Sequence, residues 1–314
     1  MFRFFIPSAP ECRQARHNPV DPMPHQDRKV LISAIALGMV ALSWGTSFAV
    51  IKDIIGTIPP FTLMMLRFGW STILLTLLFG HRLKHMTGRQ FRNSVIIGLF
   101  MAVAFIGLVL GIRHTTASNQ SFLVGACVIF VPFLVWLLSG HRPDRFSIGG
   151  ALLATAGIAL LTLDSSFSVN KGDLLSILCS VSYACHKVAI ERLGRDGDPI
   201  ASTIIQFAVT TACFALLTGL FEPHHIMLTP KLWKALAYLV IVTTVIAFTI
   251  QNMAQKHLSS TSTALILTLE TAFGGVFAVL YLHEHLTLKM FLGCLIILTG
   301  ILTEETQWRF LRRT

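Results

Sequence analysis

A single carboxylate, Glu270, stands near the middle of the apolar run "TALILTLETAFGGVFAVLYL", residues 263–282. An acid at the centre of a bilayer costs about 2.5 to 3.5 kcal/mol on insertion scales, so it must face a water-filled cavity or a partner. Two functional uses suit it: holding the amine of a solute, or carrying a proton. A structural carboxylate, hydrogen-bonded inside a helix bundle, is the alternative. Arg67, in "PFTLMMLRF", lies about seven residues into its own apolar run. Its planar fork could hold a solute carboxylate or lock helices together through backbone carbonyls.

The remaining polar candidates fall on a few faces. Trp44 and Phe48 are one helical turn apart and share a face, as do Tyr183 and Lys187 further along. Both faces are candidate walls of one cavity, suited to apolar or aromatic solutes. His186 and Lys187 lie nearer the cytoplasmic end of their run, as an inner gate or an interface marker. Lys52, near the opposite end of its run, can snorkel to water or serve as a gate. Asn119 and Gln120 in one run, and Gln251 and Asn252 in another, can hydrogen-bond between helices or touch a solute.

These residues need long apolar elements to carry them. Of the 314 residues, 54% are hydrophobic and 13% charged, and the mean hydropathy is +0.69. No soluble fold could bury so much. Ten runs of about 20 residues, each long enough to cross the hydrocarbon as a helix, centre near Val40, Thr72, Val103, Phe130, Ala156, Val181, Ala212, Val242, Ala272 and Ile296. Between them, short segments such as "GTIPP", "GHRPDR" and "LGRDGDP" collect the Pro, Gly and charged residues. The expected class is therefore an all-α polytopic membrane protein with ten transmembrane helices. Lys and Arg are concentrated on one side, in the amino-terminal tail, three loops that take in Lys187, Lys256 and the carboxy-terminal tail. The other side holds only Lys52, Arg113, Lys171, Lys231, Lys234 and Lys289. That bias predicts both termini in the cytoplasm. It also accounts for the net charge of +10 through anionic lipid headgroups, with no nucleic-acid partner.

The chain also repeats itself. "SIGGALLATAGIALLT" from Ser147 aligns with "MFLGCLIILTGILT" from Met290, and the same offset sets Phe105 on Phe248, His114 on His257 and Phe130 on Phe273. Near the start of each half, "WGTSFAVIKDI" matches "YACHKVAIERL", and Arg67 falls on Gln206. Two five-helix repeats, residues 30–167 and 168–304, follow a disordered tail of residues 1–29 and precede a basic tail of residues 305–314. Met23 offers an alternative start. Five is odd, so the two repeats are expected to be inverted in the membrane, an arrangement recurrent in secondary transporters.

Several of these residues resemble the EamA group of the drug/metabolite transporter superfamily. They are Trp44-Gly45-Thr46-Ser47-Phe48 followed by Lys52, the Arg67-Phe68 pair, Pro132, Leu269-Glu270, Glu284, Gly293 and Gly300, spread over about residues 30 to 303. The resemblance implies ten helices in two inverted repeats and export of amino acids, other metabolites or drugs without a bound cofactor. One departure is Thr271, where the family often has Pro after Leu-Glu. Any kink is then expected at Gly274-Gly275, which double as gate candidates, or to be absent.

Other chemistries find little support. Five of the six cysteines lie in expected helices without a CxxC pair, as packing residues. "HEH" at His283–His285 does not suit a metal, since neighbours on a helix point apart. No GxSxG, HExxH or P-loop motif occurs. The expectation is a bacterial inner-membrane carrier of a small molecule, monomeric or homodimeric, with protons as the candidate coupling ion and neither cofactor nor metal. The alternatives are an exchanger of anionic metabolites that clamps its cargo with Arg67 and Lys187, and, in another class, a membrane enzyme or lipid-handling protein built on Glu270 and His186.

Overall fold

The computed structural model describes residues 25–140, 145–162, 170–222, 229–285 and 287–306. The greater part of the amino-terminal tail, residues 1–24, and residues 307–314 of the basic tail lie outside them, as do parts of the "GHRPDR" and "EPHHIMLTPK" connections. The described residues are almost wholly helical. In chain order the helices are α1 (His25–Ile54), α2 (Pro60–Phe79), α3 (Gly88–His114), α4 (Ala117–Gly125), α5 (Cys127–Ser139), α6 (Arg145–Thr162), α7 (Lys171–Leu193), α8 (Pro199–Phe221), α9 (Pro230–Val240), α10 (Ala247–Ala254), α11 (Ser260–Leu267), α12 (Leu269–Leu282) and α13 (Leu288–Thr306). The π-helical turn Ile241–Ile246 joins α9 to α10.

Local chemistry sets many of the boundaries. Pro60, Pro199 and Pro230 begin their helices at the position where a missing N–H costs nothing. Thr87, Thr116, Asn170, Asp198 and Thr229 accept from first-turn amides as N-caps. Gly140, at φ 76°, ends α5 in the left-handed conformation that glycine adopts freely.

Among the described residues, eight segments are long and apolar enough to cross a membrane: Arg28–Ile54, Pro60–His85, Gly88–His114, Ala117–Leu138, Lys171–Leu193, Pro199–Phe221, Pro230–Ala254 and Ser260–Leu282. Two of the ten expected runs, near Ala156 and Ile296, form the shorter apolar helices Ile148–Gly157 and Phe291–Gly300. They pack on each other as α6 against α13. The bundle faces its surroundings with hydrocarbon: Leu77 and Leu137 are about four-fifths exposed (79% and 80%). Such a skin suits lipid rather than water. Its interior instead carries buried polar side chains, among them Arg67, Gln206, His186, Lys187, Gln251 and Glu270.

The main contacts join the first half of the chain to the second. α3 packs on α7, α1 on α10, α1 on α12, α5 on α7, and α2 on α8. Exchanging each helix for its counterpart in the other half turns the first contact into the second and the third into the fourth. One interior is thereby shared by both halves.

Two single-residue discontinuities interrupt the fourth and eighth of these spans. Ala126 separates α4 from α5, and Thr268 separates α11 from α12. The run that carries Glu270 is thus not one continuous helix. The kink expected at Gly274-Gly275 is absent, because α12 passes through both residues unbroken; the irregularity comes six residues earlier, at Thr268. Tight packing explains the two glycines. A Cβ on Gly274 would lie 2.5 Å from the Ser121 Cβ, and one on Gly275 would meet the Phe122 ring at 3.2 Å.

Candidate functional site

Six of the sequence candidates converge on one small cavity. Trp44, Phe48, Arg67, Tyr183, Lys187 and Glu270 line it, together with Ser47, Phe105, Leu108 and Val124. Its volume is about 20 Å³, just above the 10–15 Å³ or so that a single water needs. Pockets for drug-sized ligands run to about 300–1,000 Å³. The structure is therefore closed around its polar centre, and loading any metabolite requires helices to part. A larger crevice of about 550 Å³ lies where α1 passes into α2, between Pro59, Phe61, Leu110, Arg113, Phe221 and Glu222, away from this chemistry.

Arg67 is 1% exposed and is held by the π turn. Its Nε donates to the Thr244 hydroxyl (2.6 Å) and its Nη2 to the Thr243 hydroxyl (2.9 Å). The Thr243 and Thr244 hydroxyls donate in turn to the Leu239 carbonyl, at 3.0 and 2.7 Å respectively, which aims their lone pairs at the guanidinium. An ordinary α-helical turn would place consecutive threonines about 100° apart; the widened turn lets both reach one side chain. Nη1 has no partner. The Trp44 indole N–H donates to the Thr243 carbonyl (2.8 Å), tying α1 to the same turn. Phe105 lies 5.0 Å under the guanidinium, a cation–π contact in a dry site.

Glu270 occupies the first turn of α12, directly after the discontinuity, where the partial positive charge of a helix start favours a carboxylate. It is 6% exposed, and its oxygens accept no hydrogen bond from the described residues. Gly45 brings α1 hard against it: a Cβ there would lie 2.9 Å from the Glu270 carbonyl and 2.5 Å from the Phe273 Cβ. On the next face, Gly125 abuts Thr271, whose methyl would lie 1.7 Å from an added Cβ.

Lys187 is not the loop cation that the charge pattern predicts: it is buried at 2% exposure within α7. Burial on the shared face with Tyr183 decides its place, not the charged residues that follow. Its ammonium donates to the Cys127 sulfur (3.2 Å) and lies 5.0 Å from the Tyr183 ring centre. Cys127, read from sequence as packing alone, thus holds a cation at the start of α5.

The other candidates sit elsewhere. His186 donates through Nε2 to Gln206 (3.1 Å), and the Gln206 amide donates to Ser202 and Asn252 (3.0 and 3.2 Å), in a buried network beside the cavity. Gln251 donates to Gln255, whose own amide reaches the Lys187 carbonyl. Gln120 joins the Leu108 carbonyl to the Ser176 hydroxyl. Asn119, half-buried, leaves its side-chain oxygen unpartnered. Lys52 donates to the carbonyls of Ile112 and Thr115 (2.7 and 2.6 Å), closing the C-terminal end of α3.

"HEH" is not on a helix: α12 ends at Leu282 and His283 adopts a positive φ of 55°. That turn sends Glu284 onto the start of α4, where it accepts from the amides of Ala117 and Ser118 and from the Ser118 hydroxyl (2.8, 3.1 and 2.7 Å). Glu222 does the same for α2, through Phe61, Thr62 and the Thr62 hydroxyl, each at 2.7 Å. Among the described residues no group of three His, Cys, Asp or Glu side chains is placed to hold a metal ion.

Sequence reasoning missed Ser47, Thr243, Thr244, Cys127 and the helix-capping role of Glu222. The paired threonines were visible inside an apolar run, and Ser47 inside the Trp44–Phe48 motif; nothing local marked Cys127 or Glu222.

The comparisons agree with this architecture. A solved crystal structure matches over 89% of this chain and 99% of its own, with a TM-score of 0.65 at 22% identity, a likeness of fold. An uncharacterized transporter of Archaeoglobus fulgidus is 28% identical over 276 residues, 87% of this chain and 86% of that protein. A probable amino-acid metabolite efflux pump of Escherichia coli strain K12 is 25% identical over 286 residues, 84% and 91% of the two chains. The EamA-like transporter family matches twice, over residues 31–163 and again over 170–303. The chain, a multi-pass helical protein with its polar residues turned inward, belongs to the EamA-like transporter family.

Proposed function

We propose that the protein is a secondary-active exporter of small metabolites, such as amino acids, or of drug-like solutes, working by alternating access. Ten helices in two inverted five-helix repeats span a bacterial inner membrane with both termini in the cytoplasm. α6 and α13 supply the fifth and tenth spans. The observation that carries the reading is convergence: Arg67, Lys187 and Glu270 come from different helices of both halves and meet at one closed cavity. Such groups are costly in a membrane and serve a bound solute or ion. The exchange-related contacts between halves support the inversion, and the description of the Escherichia coli relative supports amino acids as a substrate class.

In this mechanism the repeats rock about the cavity and expose it to each side in turn. Glu270 takes a solute amine or a proton, Arg67 offers its free Nη1 to an acidic group, and Trp44, Phe48 and Phe105 cover the apolar part. Differential affinity of the two open states for the load couples motion to transport. Exchange of anionic metabolites is the second reading, favoured by two cations lining one cavity. A membrane enzyme built on Glu270 and His186 is disfavoured, because His186 does not line the cavity and engages Gln206.

The test is a panel of amino acids, sugars and cationic dyes offered to purified protein in liposomes under an imposed pH gradient. Gradient-dependent movement of at least one solute is expected. Chemical conversion of a solute in detergent, with no movement in vesicles, would overturn the reading.

A further inference from the structure

Laying the two halves on each other by the offset that sets Phe130 on Phe273 places Cys127 on Glu270. Each opens the helix that follows its discontinuity, at the start of α5 and in the first turn of α12. Broken helices at corresponding positions of two repeats are where transporters build their binding sites. Here one half presents a thiol and the other a carboxylate, and α7 adds a lysine ammonium that is bonded to the thiol and lines the same cavity as the carboxylate. Lys187 donates one N–H to Cys127 and has no other hydrogen bond among the described residues, which leaves two donors over. Arg67, across the cavity, has its Nη1 unpartnered and fully buried. The charged groups that line the cavity are therefore two cations and one carboxylate.

From this geometry we infer that Lys187, positioned by Cys127, is the specificity-determining residue that makes the cavity select solutes bearing an anionic group. The inference rests on the transport reading above and deepens it. Lys187 offsets the charge of Glu270, which leaves Arg67 as excess positive charge in a closed, water-poor space. An unbalanced buried charge is costly. A solute that brings one negative group balances it, with its acid shared between the free Nη1 of Arg67 and the spare donors of Lys187. A solute that brings only a cation adds to the excess.

The test reads the cavity's charge without knowing the cargo. In the full-length protein in liposomes, Ser47→Cys places a thiol on the cavity wall, and methanethiosulfonates carrying a sulfonate or a trimethylammonium group are applied. Labelling of the position-47 peptide is followed by mass spectrometry. The sulfonate reagent is expected to react faster than its cationic partner. Adding Lys187→Met should lower that rate ratio by about tenfold or more, the scale of removing a unit charge at a few ångströms inside a protein. Lys187→Arg should keep the ratio, and Glu270→Gln should raise it.

A ratio unmoved by Lys187→Met, with both reagents still reacting, overturns the inference and leaves the transport reading standing. Should Lys187→Met fail to fold, the Glu270→Gln ratio decides: a rise supports the charge balance and no change refutes it. Labelling by neither reagent would mean that the cavity never opens, which refutes alternating access and this inference with it.

Discussion

Two kinds of carboxylate occupy this bundle. Glu222 and Glu284, at helix ends, each accept two backbone amides and a hydroxyl at the start of a helix from the other half of the chain. Glu191 makes a simpler cap within the second half, accepting the Ser260 amide at 2.9 Å. Glu270, deeper than all of them, accepts nothing from the described residues. A fully satisfied carboxylate fastens helices together. One buried without a hydrogen-bond donor carries a desolvation cost that a bound solute or proton would relieve. The difference in partners, not depth alone, is the ground on which the proposed mechanism gives Glu222 and Glu284 a fastening role and Glu270 the binding of a solute or proton.

Several variants would sharpen or break that contrast. The largest effect on stability is expected from Gly45→Val, because a side chain there must push α1 off the Glu270 backbone. Overpacking of this kind costs about 1–3 kcal/mol, and thermal unfolding in detergent would read it. A parent-like melting temperature would mean that α1 and α12 do not meet as closely as described. Glu284→Ala and Glu222→Ala come next, each removing a helix cap worth about 1–2 kcal/mol. Transport per folded molecule should survive in both. If either abolished transport without lowering stability, the division between fastening and functional acids would fail. Thr243→Val should cost a comparable amount, about 1.5 kcal/mol at the lower end for a hydrogen bond to a charged group, while weakening uptake of acidic solutes by freeing Arg67 from its set orientation.

The smallest effect concerns Asp198, at the start of α8. Partial burial pushes its carboxyl upward, but the Arg82 hydrogen bond and the amides of Ile200 and Ala201 outweigh this and hold it below the usual carboxylate range. A group depressed in the folded state favours folding above its unfolded value and loses that contribution as pH falls through its folded one. Asp198→Asn should therefore lower the melting temperature slightly at neutral pH and flatten its decline below about pH 4, where the parent loses the same contribution. An identical decline in the variant would remove Asp198 as a contributor.

The sequence announced what depends on composition and period. Long apolar runs, the duplicated glycine pattern from Ser147 and Met290, and an acid out of place at Glu270 are all visible in one dimension. The breaks at Ala126 and Thr268 are not, since no proline stands at either; they arise beside crowded contacts such as Gly125 against Thr271. Nor could Glu222 be recognised as a cap, with its partners some 160 residues earlier in the chain. Lys187 misled because the charged residues after it make its segment read as a loop. Its burial beside Cys127 is a consequence of α7 crossing α5. The π turn that aims Thr243 and Thr244 at Arg67 likewise has no local signature beyond two adjacent threonines.

The central claim is that Glu270 is the acid that works during transport. Its most direct test compares Glu270→Gln with Glu284→Gln in liposomes, measuring uptake of a transported solute against the imposed pH gradient at matched amounts of folded protein. The account predicts that Glu270→Gln loses the dependence on the gradient, by about tenfold or more in driven uptake, the equivalent of about 1.4 kcal/mol of coupling, while melting close to the parent. Glu284→Gln should melt lower and keep the dependence. Parent-like, gradient-dependent uptake by Glu270→Gln would contradict the account and make this carboxylate a structural one.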